Sequence, residues 1–347
     1  MARLKNIRSI KHLITISISL LPIFVGLTGC QSQASNDQLE QWHKDAIAEN
    51  IRLTELYSSN LANNWIFRVQ GQVQKPITLN WSEIEGLADT TMSTVKSYSG
   101  NQKTRVKFKG ILVEKLLKQA VVESGAEEVT IVASDSFYTT TTIKDLYFYQ
   151  GLLAISENDK PIRRNEGGPV HMVFYNNPED SKGTNPKGWT YYATHVIVGT
   201  EPLRLKVENN ILERADLEKL PTHKTTVLVG YQLGWKPEPV QLVGIKLRDI
   251  LRSQNVTIPP KSILKVRRKS MDDLDPRKSV KIPANLIDDC DVMLAYQWGT
   301  DSQNIPASKG GPLTLAYSDN CPHEAIKNLT WLPFVESLSV ETAEPKS

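Results

Sequence analysis

The chain of 347 residues is poor in cysteine and histidine, with three of the first and six of the second. The histidines are scattered without metal-ligand spacing, and no His-Glu-x-x-His pair occurs. No Gly-x-Ser-x-Gly elbow and no Gly-Lys-Ser/Thr phosphate loop is present, so the motif grounds for a serine hydrolase or a P-loop enzyme are missing. No apolar run reaches the ~20 residues that a membrane-spanning helix needs. A surplus of one charge is missing too. The formal +3 arises from Arg3, Lys5, Arg8 and Lys11 within the first 29 residues, which hold no acid; the remainder carries 37 basic against 38 acidic side chains. That balance offers nucleic acid nothing electrostatic.

What is there starts with the N-terminus. Residues 1–29 read as an export signal, with a basic start and a largely apolar Leu13–Leu27. Leu27-Thr28-Gly29-Cys30 resembles the bacterial lipobox, which implies lipidation of Cys30. The competing reading is a buried N-terminal helix or an anchor. Gln31 in place of Asp points to the outer membrane if the cell is Gram-negative. The rest of the chain is then expected in the cell envelope, lipid-anchored and on the periplasmic face, in an oxidising compartment. Cys290 and Cys321 remain, either as a disulfide or as two unpaired thiols packed in the second half. Residues 30–62 read as a tether, in which Leu39, Trp42, Ala46, Leu53 and Leu56 take helical spacing.

At 40% hydrophobic and 23% charged residues, the body has ordinary globular composition and room for about two domains. Ile66–Gly71 alternates as a half-buried strand, and Asn80 with Glu83 forms a capping-box pattern for a helix through Trp81, Ile84 and Leu87. Strand, turn and helix follow from Val106 through Gly110 to Ala120. Val129–Val132, Thr139–Ile143 and Val170–Tyr175 read as further strands. Landmarks then recur in order. Gly244-Ile245 answers Gly110-Ile111, Leu294-Ala295 answers Leu153-Ala154, Gly310-Gly311-Pro312 answers Gly167-Gly168-Pro169, and Tyr317 answers Tyr175. Each copy is expected to close on an alternating strand, Leu203–Val207 or Leu338–Val340. The pattern predicts one fold twice: copy one at 63–208, a polar linker at 209–224, a diverged copy two at 225–341 and a tail at 342–347. Copy two shows no counterpart of the Trp81–Leu87 helix.

The ordered signposts Phe108-Lys109-Gly110-Ile111-Leu112, Leu116-Leu117, Ser134-Asp135-Ser136-Phe137-Tyr138, Leu153-Ala154 and Gly167-Gly168-Pro169-Val170-His171 resemble the sulfite-oxidase-type molybdopterin-binding domain. That resemblance implies an α+β, mixed-sheet fold, here duplicated. In the enzymes of this family a cysteine thiolate binds molybdenum from a strand ahead of the Gly-Val-x-Leu turn. The matching stretch here, Thr94 to Gly100, holds no cysteine. Molybdenum favours a soft anionic sulfur, which neither serine nor lysine replaces. The family's Arg after Gly-Gly-Pro-Leu is His171 in copy one and Thr314 in copy two.

The resemblance further implies a pterin or molybdopterin-like ligand without molybdenum. Some exported relatives of this fold bind reduced pterins and act as sensors for membrane signalling proteins. The candidate ligand residues are Lys96, Ser97, Tyr98, Ser136, Tyr138 and His171, with Trp189 or Tyr192 as a wall, and Arg163 and Arg164 for a phosphate. For each aromatic the bland reading is a core or rim residue. The expectation is a pterin-binding lipoprotein without catalysis, with a sensing or scaffold role. The competing expectations are a molybdenum-dependent oxidoreductase with an atypical ligand, and a structural envelope protein with empty pockets.

Overall fold

The computed structural model describes residues 64–97, 103–135, 137–175, 189–229, 238–269, 279–317, 321 and 332–341. The expected export signal, tether and Cys30, together with Tyr98 and Ser136, lie outside the described residues.

Strands β1 (Ile66–Gly71) and β2 (Ile77–Asn80) open the fold, followed by helix α1 (Trp81–Leu87). The capping box forms as the residue pattern predicts. Asn80 Oδ1 accepts from the Glu83 backbone N–H at 3.0 Å, and Glu83 Oε2 accepts from the Asn80 N–H at 2.8 Å. Then come β3 (Thr90–Ser97), β4 (Lys103–Leu112), α2 (Val113–Ala120), β5 (Glu128–Ala133), β6 (Tyr138–Thr142) and α3 (Ile143–Phe148). The first set ends with β7 (Leu152–Glu157), β8 (Lys160–Pro161), β9 (His171–Val173) and β10 (Ala193–Val198). One sheet runs β2-β1-β10-β5-β6, and the other runs β3-β4-β7-β8 with β9 also on β7. Helix α2 turns Val113, Leu116, Leu117 and Ala120 inward, onto a core shared with Phe67, Ile84 and Ile111.

A second set repeats this order. It comprises β11 (Arg204–Val207), β12 (Asn210–Glu213), α4 (Arg214–Leu217), β13 (Thr222–Val229), β14 (Glu238–Lys246), α5 (Leu247–Ser253), β15 (Ile263–Arg268), β16 (Ser279–Pro283) and α6 (Ala284–Asp289). It closes with β17 (Val292–Trp298), β18 (Gln303–Asn304), β19 (Thr314–Tyr317) and β20 (Val335–Glu341). The sheets run β12-β11-β20-β15-β16 and β13-β14-β17-β18, with β19 on β17. Among the described residues, the one parallel contact in each set is between the first and last strand, β1 with β10 and β11 with β20. Gly110 and Gly244 sit at matching bulges, where the neighbouring strand passes so close that a Cβ would lie 2.0 Å from Leu153 O or 2.2 Å from Leu294 O.

The structure moves the expected boundary. Arg204–Val207 was expected to close the first half, but it pairs with β20 and β12 and so opens the second set. The stretch 209–224, expected as a linker, forms β12, α4 and the start of β13. Its polarity reflects an edge strand with one buried side chain, Leu212, rather than loose chain. Helix α4 follows β12 as α1 follows β2, supplying the counterpart that the second half lacks on its sequence pattern.

The two sets belong to one compact unit. Val132, Tyr138 and Ile197 of the first pack with Ala307 and Phe334 of the second. Lys269 Nζ reaches Glu201 at 3.3 Å and Glu336 at 2.9 Å, and Ala307 N–H donates to Gly199 O at 2.9 Å. Cys290 and Cys321 are buried free thiols in the core of the second set.

Candidate ligand cleft

In the first set, β3, β7 and β8 end on one side of a cleft of about 800 Å³, and the turn after β8 forms the other. Lys96 comes from the end of β3 and Glu157 from the end of β7. Their heads meet at 2.8 Å with the side chains only 12% and 19% exposed. Two further cations, Lys160 and Arg163, line the space with Asn158, Asn165 and Glu166. Tyr191 and Tyr192 supply the aromatic wall.

The turn that shapes the cleft is built from the Gly-Gly-Pro signpost. Arg164–Glu166 makes one turn of 3-10 helix and ends on Gly167 at φ 95°, a conformation that favours glycine. A Cβ there would lie 2.4 Å from the Tyr191 ring and 2.7 Å from His171 Nε2. Gly167 O accepts from the Tyr192 N–H at 2.7 Å, and the Tyr192 hydroxyl donates to Arg164 O at 2.9 Å. The Arg164 guanidinium lies 4.4 Å from the Tyr192 ring centroid, so its charge is spread over the wall of the cleft.

Behind Gly167 lies His171, fully buried and edge-on to Tyr191 at 4.7 Å. Among the described residues neither ring nitrogen reaches a partner in good hydrogen-bond geometry, although the carbonyls of Glu166 and Gly167 are close enough to act on the ring. Burial lowers its pKa to about 3, and the nearby Lys96 charge adds to that; the carbonyls of Glu166 and Gly167 oppose it. At neutral pH the ring is uncharged and offers one donor and one acceptor. Burial raises the Tyr192 pKa, with Arg164 opposing, so the phenol stays protonated. The second set differs at both points. Phe334 holds the place of Tyr192, its N–H donating to Gly310 O at 2.7 Å. Thr314 stands for His171, and its hydroxyl donates to Gly310 O at 3.0 Å. That polar group closes a local hydrogen bond, whereas the nitrogens of His171 meet the Glu166 and Gly167 carbonyls only in poor geometry.

Of the candidate ligand residues, Lys96, Arg163 and Tyr192 line the cleft, with Arg164 and His171 against its wall and floor. The Ser97 backbone ends β3 beside Lys96. Two aromatics are placed elsewhere. Tyr138 was expected at the ligand; its ring is buried against Phe334 at 4.9 Å, because the second set covers that face of β6. Trp189 packs edge-on to Phe108 at 5.3 Å, in the core behind the cleft. Residue types alone did not point to Glu157, Asn158, Lys160, Asn165 or Tyr191. The pairing of Lys96 with Glu157 depends on the register of β3, β4 and β7, which brings together residues 61 apart in sequence.

The donors of the cleft are amine, guanidinium, carboxamide, phenol and carboxylate, with imidazole behind. The cysteines of the described residues, Cys290 and Cys321, lie in the core of the other set. Residues 55–177 match the family model of the oxidoreductase molybdopterin binding domain. Among solved structures, the sulfane dehydrogenase SoxCD from Paracoccus pantotrophus is similar at 12% identity and a TM-score of 0.35, over 73% of this chain. The similarity spans 66% of the length of that chain, just under two thirds. No curated protein matches the chain.

Proposed function

We propose, from the match of residues 55–177 to the oxidoreductase molybdopterin binding domain, that this chain binds a pterin-type small molecule in the cleft beside His171. One observation carries the reading. The cleft joins three cations and two tyrosines over a buried, neutral histidine whose ring nitrogens close no well-aligned hydrogen bond among the described residues. A pterin has an aromatic ring to lie on Tyr191 and Tyr192, and an amide-like edge for Asn158, Asn165 and Lys96. A phosphate on the ligand would be held by Arg163 and Lys160.

The organic part of a molybdopterin fits these donors; the metal finds no thiolate among them. The role proposed is therefore binding without catalysis. With Cys30 lipidated, the protein would sit on the periplasmic face of the envelope and pass its binding state to a membrane signalling protein. Purification of the mature protein from its own host tests this reading. Pterin released on denaturation, read by fluorescence, at about one per chain and without molybdenum by elemental analysis, is the expected result. Stoichiometric molybdenum would replace the reading with an oxidoreductase that uses an atypical ligand. Absence of both, with no thermal shift on adding a reduced pterin, would leave a structural protein.

A further inference from the structure

Helix α6 ends at Asp289, and Cys290 follows at its cap, two residues before Val292 opens β17. Cys321 comes four residues after Tyr317 closes β19. Strands β17 and β19 pair antiparallel, and their register sets Val292 opposite Tyr317. Both cysteines thus leave the same end of one strand pair. There they turn into one core, 2% and 6% exposed. Both side chains pack into the same core cluster as the Tyr317 ring.

We propose that Cys290 and Cys321 form a disulfide in the exported protein. Two S–H bonds break and one S–S bond forms. The two protons and two electrons pass to the disulfide of a thiol–disulfide exchange catalyst, whose S–S bond breaks and which leaves as a dithiol. The bond closes a loop that holds β17, β18 and β19, and so ties the end of α6 to the chain beyond the sheet. It constrains the unfolded chain more than the folded one, where the two side chains share one core.

The environment argues for a structural bond over a reactive thiol. Burial pushes the Cys321 thiol up to about 12, with Cys290 and the Asp291 carboxylate adding to the effect. Exchange needs a thiolate, so the folded pair neither attacks nor is readily attacked. The bond therefore forms before the core closes. Once buried, it resists reductants until the domain opens.

The proposal rests on the export reading for its oxidant, and the test separates the two. The mature protein is isolated from its host, and its free thiols are alkylated under denaturing conditions. Peptide mass spectrometry then reads the lipid at Cys30 and the state of the pair in one experiment. The expected result is a lipidated Cys30 with Cys290 and Cys321 in one linked peptide, alkylated only after reduction. A lipidated Cys30 with both thiols alkylated without reduction would overturn the disulfide. If Cys30 is unmodified and the thiols are free, the export reading fails, and refolding the full chain with oxidised glutathione decides the pairing. Formation of the linked peptide then supports it, and glutathione adducts or free thiols remove it. As a second readout, the oxidised protein should melt roughly 5 °C or more above both the protein refolded under reductant and the Cys290→Ala/Cys321→Ala variant. Equal melting points for the three would count against the bond.

Discussion

Tyr138 and Phe334 meet edge to face, their ring centroids 4.9 Å apart and their planes at 87°. One ring comes from β6 of the first set and the other from the segment before β20 of the second. The pair places an aromatic that looks like a ligand contact in the joint between the two sets. Tyr138→Ala is therefore expected to cost about 3–5 kcal/mol in urea unfolding, as for other buried aromatics, and to leave the pterin affinity of the folded protein unchanged. A double-mutant cycle with Tyr138→Leu and Phe334→Leu should show a coupling of about 0.5–1.5 kcal/mol. Additive losses would mean that the rings do not act as a pair.

The polar half of the same joint is Lys269 with Glu201, whose side chains are 9% and 11% exposed. Removing one partner strands the other charge in a low-dielectric site. Lys269→Met should destabilise the protein by about 3–5 kcal/mol, and Lys269→Met with Glu201→Leu should recover most of that loss. If the double variant is as unstable as the single one, the Glu201 charge is compensated elsewhere. Since both sets contribute to this joint, a fragment ending at Thr200 exposes Val132, Tyr138 and Ile197. It should give the narrow, poorly dispersed amide NMR signals of an unfolded chain.

What the residues announced in advance were backbone requirements. Gly110 and Gly244 mark bulges where another strand lies within 2.0 and 2.2 Å of a missing Cβ, and only glycine meets that demand. The two Gly-Gly-Pro turns are of the same kind, so the recurrence of the fold's landmarks was legible. Helix α4 was not, because four residues show no helical period. The place of β11 was hidden because its parallel partner β20 lies about 130 residues further on. The site was legible in part. Lys96, Arg163 and Tyr192 are chemically apt and do line the cleft, whereas the direction of Tyr138 is decided by the second set that covers β6. Glu157 was invisible for a similar reason, being brought to Lys96 by strand register.

Two buried histidines should make the fold sensitive to acid. His171 titrates near 3 in the folded protein, and burial also holds His195 well below the ordinary histidine range, with Lys269 and Arg68 adding to the effect. Unfolded histidine binds a proton near pH 6.5, so below that pH the unfolded state takes up protons that the folded state refuses. Stability is then fully present above about pH 6.5 and is lost as the pH falls from there towards the folded pKa. From pH 7 to pH 5 the loss from His171 is about 2 kcal/mol, and His195 adds to it in the same direction. Urea unfolding of His171→Gln at the two pH values should show a smaller loss, by about 2 kcal/mol, than the wild type. An unchanged slope would mean that His171 is protonated in the fold.

Gly167 separates the cleft from a merely similar turn. Its φ of 95° disfavours any side chain, and a Cβ would press on both Tyr191 and His171. Gly310, at φ 83°, closes the corresponding turn of the second set, where Thr314 replaces the histidine. Alanine at either position carries the left-handed strain of about 1–3 kcal/mol, visible as a similar drop in unfolding free energy. Only Gly167→Ala also displaces the aromatic wall and the imidazole from the ligand. In fluorescence titrations with a reduced pterin, Gly167→Ala should bind at least roughly tenfold more weakly, a change of about 1.4 kcal/mol, and Gly310→Ala should bind like wild type. Equal affinity in the two variants would move the ligand away from the cleft beside His171, and equal weakening would make the effect one of stability.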